Sequence, residues 1–544
     1  MFRYLIPAIL VLMAAAQQGV VANRVPPGLR ISGIVVNAAN GTPLKDIEVA
    51  IGPVSSSGGQ KTKTDAQGRF VFERLAKGKF WLAAQGRGFP RQTYDEHETY
   101  SSAIVVGSDV PSEGIVFRLR PGAAISGMIT DELNEPIRNA TVAVFRTGIF
   151  NGRQATSPPR YTNSDDRGRY RFSPLYGGSY LIAVSAQPWY AQSGPRFQTV
   201  TATTTRADGS TRTIRKEVTE PQNPLDMAYP LTFYPSTTDV SSATPIVVKP
   251  GEQASADVTL TAVPAVHLRI PASSQTQNTN FMLSQHVFGS SIQLPQQTFR
   301  NDGEVEITGI PPGQFTLDGQ AMGPSPAKSS QQISILENGE IAKTESLPFI
   351  TVHGVVAMEG NSLYRDVFVY LRNENGIYTG QVSEKGEFQM SEPIHAGRYE
   401  VLVDGIAGGV IVGSVTRDAL PPVEGNRIEL DGSGPTQLTV KMARGLGSVE
   451  GLAVKNGKPF PGAMIVLVPD DIGRKASLVR RDQSDSDGTF LLARALPGRY
   501  KIVAIENGWT MEWSNPEVIK PYLKAAEPIE ITAHQKSTVT VTVQ

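Results

Sequence analysis

One spacing of turn and strand residues returns five times along this chain, and it limits the possible folds more than any other feature. The run Asp65-Ala66-Gln67-Gly68-Arg69-Phe70-Val71-Phe72 aligns without gaps on Asp165-Asp166-Arg167-Gly168-Arg169-Tyr170-Arg171-Phe172. The match continues through Leu75 and Leu175, Gly78 and Gly178, Phe80 and Tyr180. A third copy reads Gly303, Val305, Ile307, Ile310, Gly313, Phe315; a fourth, with one residue inserted, Gly386, Phe388, Met390, Ile394, Gly397, Tyr399. The fifth reads Asp485, Gly488, Phe490, Leu492, Gly498, Tyr500. In this pattern Asp accepts hydrogen bonds from its own backbone in a tight turn, and Gly supplies the positive φ. Apolar residues two apart then mark a half-buried strand, and a second turn leads into a strand that opens with an aromatic. Each copy is a predicted hairpin.

Four copies are preceded by a shared opening strand: Ile31-Ser32-Gly33-Ile34-Val35, Ile125-Ser126-Gly127-Met128-Ile129, Val352-His353-Gly354-Val355-Val356 and Val449-Glu450-Gly451-Leu452-Ala453. Behind three of them a Pro-led second strand follows, at Pro43–Val49, Pro136–Val142 and Pro459–Ile465. Closing strands are expected at 115–119, 256–260, 437–441 and 539–543. Seven or so short strands in about 80–100 residues make a β-sandwich. No stretch beyond the N-terminal leader has convincing helical periodicity with caps.

These residues resemble the carboxypeptidase regulatory-like domain, a transthyretin-like (prealbumin-like) sandwich related to the collagen-adhesin B repeat. The resemblance rests on the opening strand with Gly, the Pro-led second strand and Asp-x-x-Gly-x-Phe…Gly-x-Tyr. It implies an all-β tandem array of about five seven-stranded prealbumin-like sandwiches, of a kind commonly used as accessory or surface modules. The Lys–Asn isopeptide cross-link of many collagen-adhesin B repeats is not expected, because the opening-strand segments 31–36, 125–130, 352–357 and 449–454 contain no Lys.

The repeat sets the expected boundaries: a signal peptide at 1–22, then units at 28–121, 122–263, 264–346, 347–444 and 445–544. The second unit carries an insertion at 186–246, with a long exposed hairpin expected around Asp208-Gly209. The third is degenerate, without the opening Gly. Linkers are almost absent, so a rod or arc of abutting units is expected. A length of 544 residues fits three to five domains. Arg3, an apolar run over 5–16 and Val20-Val21-Ala22 before Asn23 form a secretory leader pattern, with cleavage near Ala22 or, alternatively, in the 14–16 stretch. As a helix the twelve-residue run would rise only about 18 Å, short of an apolar membrane core of about 30 Å. The mature chain is expected to be secreted, periplasmic or on the cell surface, with no membrane span after cleavage.

The 51 basic residues balance 51 acidic ones, which removes the cationic footprint of a nucleic-acid binder. With no cysteine there are no disulfides, thiolate sites or cysteine nucleophiles. None of the six histidines begins a His-x-x-Glu pair, so the catalytic zinc site of a carboxypeptidase has no counterpart in the sequence. Nucleophile-elbow and phosphate-loop motifs are missing as well. The acids that can be placed, Asp65, Asp165 and Asp485, sit in register with a repeating turn, which speaks for geometry rather than reactivity. No enzyme activity and no cofactor are expected, although a carboxylate pair acting on glycans stays open as an alternative.

Asp482, Asp485 and Asp487 before Gly488 form the densest acidic cluster. It reads as a turn with solvated acids or as a calcium loop. Trp189-Tyr190, Trp509 and Trp513 fall in predicted loops, where exposed rings could bind a polysaccharide or a cell-surface protein, or else cap their own cores. Trp81 is expected in a core. The resulting expectation is a non-catalytic, multidomain binding or scaffold protein of the cell envelope, with a spacer or stalk as the rival.

Overall fold

The computed structural model describes residues 29–544 apart from 56–57, 151, 206–210, 220, 222, 271–278, 302–303, 322–327, 337–340, 347–348, 359–365, 374–375, 392–393, 407–409, 432–434 and 476–477. The expected signal peptide and the turn at Asp208-Gly209 lie outside the described residues. The chain is almost all strand, and its sheets fall into successive blocks at 29–119, 123–264, 266–346, 349–443 and 447–543. In the first, second, fourth and fifth blocks the opening strand pairs antiparallel with the strand after the Gly turn (Asp-x-x-Gly, or Ser383-x-x-Gly386 in the fourth) and parallel with the closing strand. The opening strands are Leu29–Asn37, Ala123–Thr130, Val352–Ala357 and Gly447–Lys455. A second sheet, built around strands such as Glu48–Pro53 and Gly78–Gly86, closes the sandwich.

The shared glycine has a steric cause. A Cβ on Gly33, Gly127, Gly354 or Gly451 would lie 2.1, 2.2, 2.1 or 2.4 Å from the carbonyl oxygen of Ile115, Ala256, Leu438 or Val539 on the parallel closing strand. From the other neighbour the aromatic of the turn strand leans over the same spot, with Phe388 Cζ at 2.8 Å and Phe490 Cζ at 2.3 Å from the added atom. Glycine is therefore what lets backbone and ring close on the strand. The third block puts Ile270 opposite Val305 at this position, and among the described residues its opening strand Val266–Ile270 has no parallel partner.

The turns are built as the pattern requires. Asp65 Oδ1 accepts from the backbone N–H groups of Gln67 and Arg69 at 2.9 and 2.8 Å, and Asp165 Oδ1 from those of Arg167 and Arg169 at 2.9 and 2.7 Å. Gly68 and Gly168 take φ of 73° and 70°. The residue before each Asp adds a buried staple. Thr64, Ser164 and Ser484 each accept from a second-strand N–H (Ile47, Ala140, Ala463) and donate to a carbonyl of the preceding turn (Leu44, Ile137, Phe460).

Core placement departs from five independent sandwiches. In strands Thr141–Phe150 and Gly178–Ser185 alternate residues face opposite ways. Val142, Val144, Ile182 and Val184 enter the second block's core, whereas Ala143, Phe145, Leu181 and Ala183 join a cluster with Phe281, Ile307 and Phe315 of the third block. The third block thus completes its core on the outer face of the second. The fifth block repeats this two-sidedness. Ile465 and Leu467 face inward, while Met464, Val466 and Val468 are covered by Trp509, Trp513 and Ile519. Trp81 lies half-buried on the outer side of its strand, since its neighbours Phe80 and Leu82 take the inward positions.

Candidate binding site

The loop that leaves strand Gly178–Ser185 carries Trp189, 79% exposed, and Tyr190 packed against its ring edge-to-face at 5.8 Å and 88°. Burial together with the nearby carboxylates Glu132 and Asp131 raises the Tyr190 pKa. Asp131 is itself fixed, its Oδ1 accepting from the N–H groups of Leu133 and Glu135 at 2.9 and 2.8 Å. Behind this pair the Tyr229 hydroxyl is buried without a hydrogen-bond partner, and burial raises its pKa. The result is a flat indole on a braced support, bordered by the Glu132 carboxylate and the Tyr190 hydroxyl. Such a surface can stack on a sugar ring or an apolar side chain and hydrogen-bond at its rim.

Trp509 and Trp513 are placed otherwise. They are 9% and 6% exposed, Trp509 against the first block and Trp513 beside Gly152 of the second. Between them lies Arg481, its side chain fully buried, with its guanidinium 4.2, 4.6 and 5.3 Å from the ring centres of Tyr100, Trp509 and Trp513. Arg481 Nη1 donates to Glu98 Oε2 at 3.0 Å, and His97 stacks on the far face of Trp509 at 4.4 Å. Burial lowers the Arg481 pKa and raises that of Glu98, each effect opposed by the other's charge.

The acidic cluster is divided among other tasks. Asp485 turns its side chain across to the first block, with Oδ2 2.5 Å from Lys79 Nζ and Oδ1 accepting from the Ala103 N–H at 2.8 Å. Its backbone still makes the turn, while Asp487 Oδ1 accepts from the N–H and hydroxyl of Thr489. Asp482 Oδ2 accepts from the Leu491 N–H at 2.8 Å, and burial pushes its pKa up to about 6. Among the described residues no group of three His, Asp or Glu side chains gathers as metal ligands. The three acids thus have separate hydrogen-bond partners, and the Asp485 carboxylate latches a neighbouring block.

The fifth block also meets the second, where Ser514 Oγ donates to the Gly152 carbonyl at 2.9 Å, and the fourth, where Arg494 donates to the Val410 carbonyl at 2.6 Å. The array folds back on itself, which corrects the expected rod or arc. The cause is chemical: Trp509, Arg481 and Asp485 find partners in the first block, and Trp513 lies beside Gly152 of the second. Sequence reasoning read these tryptophans as ligand-binding or core-capping rings and the Asp as a turn or calcium residue, and missed the partners Glu98, Tyr100 and Lys79. It also missed His267, buried between the second and third blocks. Its Nε2 lies 2.5 Å from Asp226 Oδ2 and its Nδ1 2.5 Å from Glu306 Oε1.

Residues 30–113 and 124–214 match the model of the carboxypeptidase regulatory-like domain, so two adjoining stretches carry this domain's signature. Among solved structures, the chain is similar to the TIE protein of Bacillus anthracis (10% identity, 95% of this chain and 74% of that one, TM-score 0.16). It is also similar to a streptococcal ancillary pilin (12%, 59% and 99%, 0.18) and to the major pilin subunit of Bacillus cereus (10%, 77% and 98%, 0.15). No curated protein matches the sequence. No helix among the described residues is long and apolar enough to cross a membrane.

Proposed function

We propose that this chain is an exported, non-catalytic scaffold of prealbumin-like sandwiches that binds a polysaccharide of the cell envelope through Trp189. The exposed, braced indole of Trp189 carries the reading. A surface Trp held at 79% exposure by an edge-to-face neighbour is poised to bury its face against a ligand. The repeating Asp residues support a non-catalytic role, because their oxygens are spent on turn N–H groups and on the latch to Lys79. A pure spacer is disfavoured by the contacts between the first and fifth blocks, which shorten the array rather than extend it.

The test is binding of the intact mature chain to a panel of immobilised polysaccharides and envelope fractions. Trp189→Ala should lose at least tenfold in affinity for the ligand found, since truncating an aromatic anchor costs about 2 kcal/mol or more. Absence of binding to every polysaccharide, or equal binding by the variant, would overturn the proposal.

A further inference from the structure

Where the first, second and fifth blocks meet there is a cleft of about 1120 Å³, separate from the Trp189 loop. Its walls come from all three: Arg120 from the first, Arg146, Tyr176 and Lys249 from the second, and Trp509 from the fifth. Tyr176 lies at the centre of its charge. Its hydroxyl donates to the Arg91 carbonyl at 2.8 Å and the Arg146 guanidinium lies 5.7 Å from its ring centre; burial and the Glu96 charge raise its pKa against the charges of Arg146, Arg120 and Arg91.

The side-chain hydrogen bonds of these guanidinium groups go to neutral acceptors. Arg120 donates to Gln92 Oε1 and to the Glu96 backbone carbonyl at 3.1 and 3.2 Å, and Arg146 to the Gly177 carbonyl at 3.4 Å, all neutral acceptors. Among the described residues Arg120, Arg146 and Lys249 form no ion pair. Two carboxylates also line the cleft: Glu98 is paired with Arg481 and feels the charge of Arg146 as well, and Glu96 Oε2 accepts from the N–H and hydroxyl of Thr93 at 2.6 and 3.1 Å. The remaining lining is rich in uncharged hydrogen-bonding groups, among them Thr147, Gln154 and Ser179, with the Phe150 ring beside them.

We propose that this cleft binds an acidic oligosaccharide, with Arg120, Arg146 and Lys249 meeting its carboxylates and the neutral groups its hydroxyls. Guanidinium groups held by neutral acceptors keep donors for a carboxylate, which they grip in a two-point geometry. The cleft exceeds the volume that holds a drug-sized ligand, about 300–1,000 Å³, and accommodates several sugar rings. A chain with balanced charge keeps its cations local, which favours a short acidic segment over a long polyanion such as nucleic acid.

The test uses the full mature chain and calorimetric titration with a hexamer of galacturonic acid. A neutral hexamer of galactose, inorganic phosphate and a twelve-nucleotide single strand serve as comparisons. The acidic hexamer should bind, at least tenfold better than the neutral one, and weaken as salt rises. Arg120→Ser/Arg146→Ser should lose at least tenfold. Lys249→Glu, on an exposed side chain, should lose affinity while the thermal midpoint stays unchanged. Trp189→Ala should leave this binding intact, which separates the cleft from the indole surface. Absence of acidic-hexamer binding, equal binding by Lys249→Glu, equally tight phosphate, or tighter binding of the oligonucleotide would each overturn the assignment.

Discussion

Replacing Arg481 by Met tests how the fifth block is held to the first. The substitution keeps most of the side-chain volume and removes a charge that is fully buried against Glu98 and three aromatic rings. Each ring contact contributes about 0.5–1 kcal/mol, more where water is excluded. Glu98, already with one buried oxygen lacking a partner, would be left uncompensated. Breaking a buried pair from one side costs about 3–5 kcal/mol, whereas removing both charges together often costs little. Arg481→Met should therefore weaken the contact by about 3 kcal/mol, a rise of roughly 150-fold in the open population. Arg481→Met/Glu98→Gln should recover most of that loss. Trp509 sits in this contact and Trp513 packs on the same guanidinium, so opening will shift the emission toward that of exposed indole. Hydrogen exchange at Ile104–Val106, beside the Ala103 contact to Asp485, gives a second readout. An Arg481→Met protein indistinguishable from the parent, or a double variant as damaged as the sum of the singles, would refute the reasoning.

Further expectations follow from other contacts. Burial lowers the His267 pKa, but the bonds and charges of Asp226 and Glu306 outweigh it and the net shift is upward. The stability it contributes is therefore full below its unfolded value of about 6.5 and fades as pH rises through the higher folded value. Thermal midpoints measured from pH 5 to 9 should fall across that window, and His267→Gln should lose the slope and destabilise by about 3 kcal/mol at pH 6. Gly354→Ala drives a methyl to 2.1 Å from the Leu438 carbonyl oxygen; the fourth block should melt separately, at a cost above about 3 kcal/mol by denaturant titration. Ser164→Ala removes a buried hydroxyl that accepts from Ala140 and donates to Ile137, and should cost about 1–3 kcal/mol in the same assay.

The sequence disclosed the sandwich because its local signals repeat. Asp-x-x-Gly turns and the opening glycine serve backbone geometry, which is fixed within a few residues or by one neighbouring strand. The apolar runs Met464-Ile465-Val466-Leu467-Val468 and Ile502-Val503-Ala504-Ile505 fit strands covered on both faces, a signal the reading of the repeat did not use. What covers the second face was not legible. Trp509 and Trp513 meet Arg481 within their own block, but Glu98, Tyr100 and Lys79 lie some four hundred residues upstream. No periodicity encodes such pairs. The same holds for His267 between Asp226 and Glu306, and for the cations of the three-block cleft. Trp189 was legible as a loop aromatic, but its exposure depends on which of its neighbours leave it uncovered.

Small-angle scattering of the mature chain tests the folded-back arrangement most directly. A block of about 100 residues has a radius of gyration near 13 Å, so five placed end to end would span about 170 Å and scatter with a radius of about 50 Å. With the fifth block seated on the first and second, a radius of about 30 Å is expected. A measured value near 50 Å would contradict the closure through Asp485, Arg481 and Trp509, and with it the three-walled cleft.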